Sequence, residues 1–149
     1  MTRSANLSMA FSDEQAMILD SAQAFCRDKS DGNAVRSLLK SETGFNQDVW
    51  DEMVALGWTG LSIPEQFGGF AMGIGATVPL VESMGRHMLC TPYISATIAA
   101  QAIVRGGSES QQTKWLPAMV QGTISTAKLL SLLDHITLKC QRSLSSFSS

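Results

Sequence analysis

Apolar side chains recur along most of this chain at intervals of three and four residues, the spacing that lines one face of an α-helix. Ile18, Ala22 and Phe25 form the first such stripe, and Val49, Met53 and Leu56 form another. The most apolar stretch covers residues 95–105. Strict alternation of apolar and polar residues is missing over residues 1–122, so the pattern predicts helices and not strands.

Capping residues and helix breakers divide this pattern into separate helices, joined by short loops. We predict helices over residues 12–28, 34–40, 46–56, 77–88, 95–105 and 108–116. Ser12 and Asn46 are expected to cap the first and third helices, and Ser108 and Gln111 stand at capping-box spacing.

Pro79 is tolerated only in the first turn of its helix, which places the start of that helix near Thr77 or Val78. On the same helix we expect Met88 on the buried side, and Glu82 and Arg86, four residues apart, as an exposed pair. Pro117 removes a backbone donor, so we expect the last helix to end or kink near Leu116, with one further turn over residues 117–121. The pattern predicts an all-α fold, an antiparallel bundle of about five to six helices.

Residues 56–69 interrupt the helical pattern and read Leu-Gly-Trp-Thr-Gly-Leu-Ser-Ile-Pro-Glu-Gln-Phe-Gly-Gly. Gly57 is a natural stop for the helix before it. We predict a short extended piece over residues 58–63. Pro64 and the pair Gly68-Gly69 then require a tight loop, because proline fixes φ and glycine permits positive φ. The segment therefore predicts a fixed corner between packed helices.

Composition narrows the class of protein. The 149 residues carry a net charge of -2, with 44% hydrophobic and 16% charged residues. These values are typical of a globular domain and give no electrostatic reason to expect nucleic acid as a partner. The cysteines, Cys26, Cys90 and Cys140, are widely spaced and suit a reduced compartment better than disulfides or a metal site. With no signal-peptide pattern and no membrane span in the sequence, we expect a cytoplasmic protein.

Four segments in order carry a family resemblance. They are residues 11–15 (Phe-Ser-Asp-Glu-Gln), residues 50–69 with the corner, residues 81–86 (Val-Glu-Ser-Met-Gly-Arg) and residues 107–117 (Gly-Ser-Glu-Ser-Gln-Gln-Thr-Lys-Trp-Leu-Pro). Each resembles a segment of the acyl-CoA dehydrogenases in the corresponding order. Residues 11–122 therefore resemble the N-terminal helical domain of that family, preceded by a flexible arm over residues 1–10.

The resemblance implies a function for the complete enzyme. Acyl-CoA dehydrogenases use FAD to remove hydrogen from the α and β carbons of an acyl-CoA thioester, with a carboxylate as the base. Their N-terminal domain supplies a wall of the acyl pocket and packs against other subunits. By resemblance the helix over residues 95–105 faces that pocket, and Ile94, Ile98 and Ala102 lie on one stripe of it. Plain core packing of the same stripe is the alternative.

The resemblance stops at about Thr126. The family's flavin-contacting Thr-Glu-Pro segment is missing, and residues 123–149 instead contain a leucine-rich stretch followed by a serine-rich end. The leucine-rich stretch is expected to be helical and the serine-rich end disordered; the apolar residues are Leu129, Leu130, Leu132, Leu133 and Ile136. The change suggests a frameshift, a truncation or an alternative product. We therefore predict no catalytic residue, no bound FAD and no dehydrogenase activity for this chain alone.

A second hypothesis treats the chain as a non-catalytic helical interaction module. It would pair with a full-length dehydrogenase subunit, or with its own copies, through a surface that further domains would cover. Other chemical candidates have simpler explanations. His87 stands at a helix end, Glu65 in the corner, and Cys26 and Cys90 have no paired base. The glycine pair of the corner follows no predicted strand, which argues against a phosphate-binding loop.

Overall fold

A computed structural model describes residues 13–123. Over this range the backbone forms six α-helices and three short 3₁₀ helices, with no β-strand. The α-helices are α1 (Asp13–Lys29), α2 (Gly32–Leu38), α3 (Gln47–Ala55), α4 (Val78–His87), α5 (Tyr93–Gly106) and α6 (Glu109–Val120). The predicted all-α fold is confirmed. The expectations for the arm, the Ser12 cap and the segment after residue 123 lie outside the described residues.

Side-chain caps decide where three of the helices begin. The Asn46 side chain accepts a hydrogen bond from the Asp48 amide at 2.9 Å, as its position predicts. Ser108 and Gln111 form the predicted capping box at the start of α6. Helix α2 begins earlier than predicted, because Asp31 caps it by accepting from the Ala34 amide at 2.7 Å.

Of the expectations for Pro117, an end of α6 near Leu116 is wrong, whereas the further helical turn expected over residues 117–121 is present. Helix α6 continues through Pro117 to Val120. Proline removes one N–H donor, but its carbonyl still accepts from the Gln121 amide at 3.1 Å. Leu116 and Met119 flank the proline and are buried, so packing on both sides holds the turn in place.

Helix α4 begins at Val78 with Pro79 in its first turn, as predicted. It ends at His87, and the next residue, Met88, has a φ of 54° and is 65% exposed. The expectation that Met88 belongs to the buried side is therefore wrong, because the helical periodicity stops one residue before it. Leu56 at the end of α3 is half-exposed for the same reason.

The corner is a compact series of turns, so the predicted extended piece over residues 58–63 is wrong. Gly57 adopts a φ of 76° and starts a 3₁₀ turn over Trp58–Gly60. The Ile63 amide then donates to the Gly60 carbonyl at 3.1 Å. Gly69 passes so close to Ile63 that a Cβ atom there would collide with the Ile63 carbonyl group. Only glycine fits at this crossing.

Two groups of buried side chains hold the helices together. The first group joins α1, α3, α4 and the corner, with Cys26, Met53 and Leu80 fully buried. The second joins α5, α6 and the corner through Ile63, Ile103 and Leu116. The corner thus contributes to both groups. Within the described part of the chain, every helix is too short or too polar to cross a membrane.

Candidate functional site

Helix α5 has two faces with opposite environments. Its inner face carries Tyr93, Ala99, Ala100 and Ile103, each at most 2% exposed. Its outer face carries Ile94 at 48% exposed, Ile98 at 62% exposed, and the exposed Ala102. The spacing of four residues keeps these three on one side of the helix. The three side chains predicted from the sequence therefore form an exposed apolar stripe, which rules out core packing for them within the described residues.

The start of this stripe borders a cleft of about 790 Å³. Three segments line the cleft: the loop over residues 43–45, the last two turns of α4, and the connection from α4 into the start of α5. Its apolar lining includes Phe45, Val81, Met84, Met88 and Ile94. Its volume falls in the range of small-molecule binding sites. Ile98 and Ala102 continue the same face of α5 beyond the cleft.

Two details of the cleft were not foreseen from the sequence. Gly85 lines it, and a Cβ atom at that position would meet no other atom within 4 Å. Thr91 also lines it, and its buried hydroxyl has no hydrogen-bond partner in the described part of the chain. Hydrophobic periodicity gives no signal for either feature, because both depend on where α4 ends and α5 begins.

Burial changes the pKa values of two groups in the core behind this region. Burial raises the pKa of the Cys26 thiol to about 11 and that of Tyr93 to about 12. The Tyr93 hydroxyl donates to the Trp58 carbonyl at 3.2 Å, and this buried hydrogen bond links the start of α5 to the corner. Cys90 is exposed at the cleft, and its thiol is free. No group of three potential metal ligands occurs between residues 13 and 123. The lining of the cleft is mainly apolar and suits contact with an apolar group.

The other residues that the sequence singled out do not line the cleft. The backbone carbonyl of His87 accepts a hydrogen bond from the Ser30 hydroxyl, which ties the end of α4 to the end of α1. Glu65 is exposed in the corner. Glu82 and Arg86 form the predicted exposed pair on α4, 2.7 Å apart. Trp58 is buried and meets the Phe25 ring edge-on at 5.1 Å.

Comparison with known proteins decides the family. Residues 12–123 match the family model for the acyl-CoA dehydrogenase N-terminal domain. The chain belongs to the acyl-CoA dehydrogenase family. The matched range covers the helices, the corner and the exposed stripe of α5, so the part described here is the N-terminal domain of that family.

Curated relatives support the same assignment. The chain is 28% identical over 114 residues to (2S)-methylsuccinyl-CoA dehydrogenase of Cereibacter sphaeroides, covering 75% of this chain and 21% of that enzyme. It is 31% identical over 88 residues to acyl-CoA dehydrogenase FadE27 of Mycobacterium tuberculosis, covering 58% of this chain and 24% of that protein. The chain therefore spans about a quarter or less of the length of these relatives.

Solved structures agree in fold. A steroid acyl-CoA dehydrogenase variant, Tcur3481-Tcur3483, superposes with a TM-score of 0.69 and 30% identity over 73% of this chain and 30% of its own. The ChsE4-ChsE5 complex of Mycobacterium tuberculosis gives a TM-score of 0.70 at 22% identity, over 76% of this chain and 31% of its own, which shows the fold. These matches favour the dehydrogenase domain over a separate class of interaction module.

Proposed function

We propose that the outer face of α5 and the adjoining cleft form a wall of the acyl pocket in an FAD-dependent acyl-CoA dehydrogenase. The observation that carries this proposal is the exposed stripe of Ile94, Ile98 and Ala102 on a helix whose other face is fully packed. Apolar side chains left in water on a rigid helix favour contact with an apolar ligand or another domain. An acyl chain laid along them would bury apolar surface at about 25 cal/mol per Å².

The contribution of such a wall to dehydrogenation is positioning and exclusion of water. A base can remove a proton from the α-carbon efficiently only when the thioester is held in one orientation. An apolar wall also keeps water from the reacting carbons. In this proposal the described residues hold the acyl chain, and the base is supplied by another part of the complete dehydrogenase. The substrate is an acyl-CoA thioester.

FAD accepts the hydride in this family. Gly69 of the corner provides no cradle for its phosphates, because the space beside this glycine is filled by the backbone of Ile63. We therefore propose that this chain alone binds no FAD. The visible absorption spectrum of the purified chain tests this directly. A colourless protein is expected, and a stoichiometric flavin band would contradict the proposal.

Association with another dehydrogenase subunit, or with further copies of this chain, is part of the proposal. The ChsE4-ChsE5 structure is described as a complex, and a shared fold makes a comparable assembly reasonable here. Of the cysteines within residues 13–123, Cys26 and Cys90 are both free, which supports a reduced compartment such as the cytoplasm.

Photolabelling tests the acyl wall. A long-chain acyl-CoA with a diazirine near the end of its chain is added to the 149-residue chain, and the mixture is irradiated. Tryptic digestion then shows which peptide carries the label. Cleavage after Arg86 and Arg105 releases residues 87–105 as one peptide, which contains the cleft connection and the stripe. We expect this peptide to carry the label, and Ile98→Asp to reduce labelling several-fold.

The matched control is Val78→Asp, which places the same charge at a similarly exposed apolar position on α4, 45% exposed against 62% for Ile98. Labelling of residues 87–105 should be unchanged in that variant. Labelling spread over all peptides, or equal loss in both variants, would contradict the proposed acyl wall.

A further inference from the structure

The end of α4 carries two residues that go against local backbone preference, and both line the cleft beside Ile94. Met88 follows the helix in the left-handed conformation, with a φ of 54° and a ψ of 35°, at a position that glycine usually occupies. Gly85 lies within the helix, where alanine would be more stable. The preferences of the backbone therefore explain neither residue.

Contacts on both sides of Met88 impose its conformation. The Leu89 amide donates to the Met84 carbonyl at 2.9 Å, a bond that closes a helix through a left-handed residue, and Leu89 itself is buried. On the other side, the His87 carbonyl accepts a hydrogen bond from the Ser30 hydroxyl of the segment after α1. Because both neighbours are fixed, Met88 keeps a conformation that is unfavourable for a residue with a Cβ atom.

The cleft gives both residues a use. The Met88 side chain is 65% exposed, and an unbranched thioether adapts its shape to whatever it contacts. A side chain at Gly85 would start from the lining of the cleft, and its Cβ atom would meet nothing within 4 Å, so glycine keeps this space open. Departures from local preference are concentrated at functional sites. Binding in the cleft therefore accounts for two choices that the stability of α4 does not.

The chemistry of the cleft suits the apolar end of an acyl chain and not the CoA end. Among the described residues, no Asp, Glu, Lys, Arg or His lines it, whereas CoA phosphates are bound by cationic side chains or helix N-termini. Ile94 lies at the cleft, and Ala102 lies about 12 Å further along α5, at about 1.5 Å per residue. An acyl chain that follows the outer stripe therefore reaches the cleft only if it is long.

We propose that the cleft receives the far end of a long acyl chain, and that Gly85 and Met88 set the size of the group that fits there. Gly85 provides the room, and the Met88 side chain contacts the group that enters. The reduced stability of the helix end is the consequence of this selection. The proposal rests on the acyl wall, since the outer stripe of α5 has to bring the chain to the cleft.

Stability and acyl-CoA binding, measured on the same variants of the 149-residue chain, test this selection. Met88→Gly relieves the backbone and removes the adaptable side chain, whereas Gly85→Leu favours the helix and fills the cleft. We expect each variant to raise the melting temperature by a few degrees. Calorimetric titration should show that each weakens the binding of dodecanoyl-CoA several-fold and leaves the binding of butanoyl-CoA unchanged. A residue that serves only the fold would not change stability and binding in opposite directions.

Each variant has a matched control away from the cleft. Ala71 is the other non-glycine residue with a positive φ between residues 13 and 123, at 53°, so Ala71→Gly relieves the backbone in the same way as Met88→Gly. Gly32 lies in α2, and a Cβ atom there would also meet nothing within 4 Å, so Gly32→Leu matches Gly85→Leu. Neither control position lines the cleft, and both variants should bind the two acyl-CoAs as the unaltered chain does.

Ile98→Asp separates this proposal from the acyl wall on which it rests. If that variant weakens dodecanoyl-CoA binding and the two cleft variants do not, the wall stands and the cleft does not hold the end of the chain. Equal loss of both acyl-CoAs in the cleft variants would show that Gly85 and Met88 do not select by size. A lower melting temperature in Met88→Gly would show that Met88 serves the fold. If the unaltered chain binds neither acyl-CoA, or Ile98→Asp has no effect, the acyl wall fails and this proposal fails with it.

Discussion

The two faces of α5 are built from similar residues, but the inner face is buried and the outer face is exposed to solvent. Ile103 on the inner face is 2% exposed, and Ile98 on the outer face is 62% exposed, although both are isoleucines little more than one turn apart. The inner face packs against α6 and the corner, whereas the outer face contacts nothing that would remove it from water. The comparison teaches that apolar character alone does not distinguish a residue that stabilises the fold from one available for a ligand. The position of neighbouring helices makes the distinction.

The largest effect should come from truncating one isoleucine on each face. Ile103→Ala removes packed atoms and leaves a cavity, so we expect a loss of about 2–5 kcal/mol in the free energy of unfolding. Ile98→Ala changes an exposed side chain and should stay within about 0.5 kcal/mol. Urea denaturation of both variants measures the difference. Similar losses in the two variants would mean that the outer face is covered in solution.

Alanine substitutions at two glycines extend the comparison, and we expect them to change the free energy of unfolding by an intermediate amount. Gly69→Ala forces a Cβ atom into the carbonyl of Ile63, which packs with the inner face, so we expect a loss of about 1–3 kcal/mol. Gly85→Ala faces the open cleft from within α4 and should instead gain about 0.5–1 kcal/mol from higher helix propensity. Thermal denaturation followed by circular dichroism distinguishes them. Destabilisation by Gly85→Ala would show that the cleft is filled.

The third effect concerns pH and is absent below about pH 9. Burial raises the pKa of Cys26 from 9.0 to about 11 and that of Tyr93 from 10.0 to about 12. Each group ionises at a lower pH in the unfolded chain than in the folded chain. Its contribution to the free energy of unfolding is therefore complete below pH 9 and is lost as pH rises through 11 and 12. Urea denaturation at pH 8, 10 and 11 measures this decline. Tyr93→Phe should make the decline shallower, while Cys90→Ser on the exposed cleft should not; equal slopes in all three proteins would refute the assignment.

Much of this fold could be predicted from the sequence because its signals are local. Asn46, Ser108 and the proline in the first turn of α4 act on adjacent backbone, and the structure confirms each. The errors arise where tertiary contacts override local preference. Pro117 remains inside α6 because buried neighbours hold the turn, and residues 58–63 coil because Gly57 and Gly60 close successive turns.

The candidate site was predictable only in part. The stripe of Ile94, Ile98 and Ala102 follows from helical spacing together with the family resemblance, and the structure places all three on one exposed face. Their contact with an acyl chain stays a prediction. The cleft beside Ile94 was not predictable, because it depends on Met88 leaving the helix with a positive φ and on the path of the loop at Phe45.

The most direct test uses isoleucine methyl groups as reporters on both faces of α5. A spectrum of the full chain with labelled isoleucine δ1 methyls is recorded while a medium-chain acyl-CoA is added. We predict shifts at Ile94 and Ile98 that saturate with ligand, with Ile63 and Ile103 in the core unchanged. If all four signals stay in place, or if the core signals move as much as the outer ones, the outer face of α5 is not an acyl-binding surface.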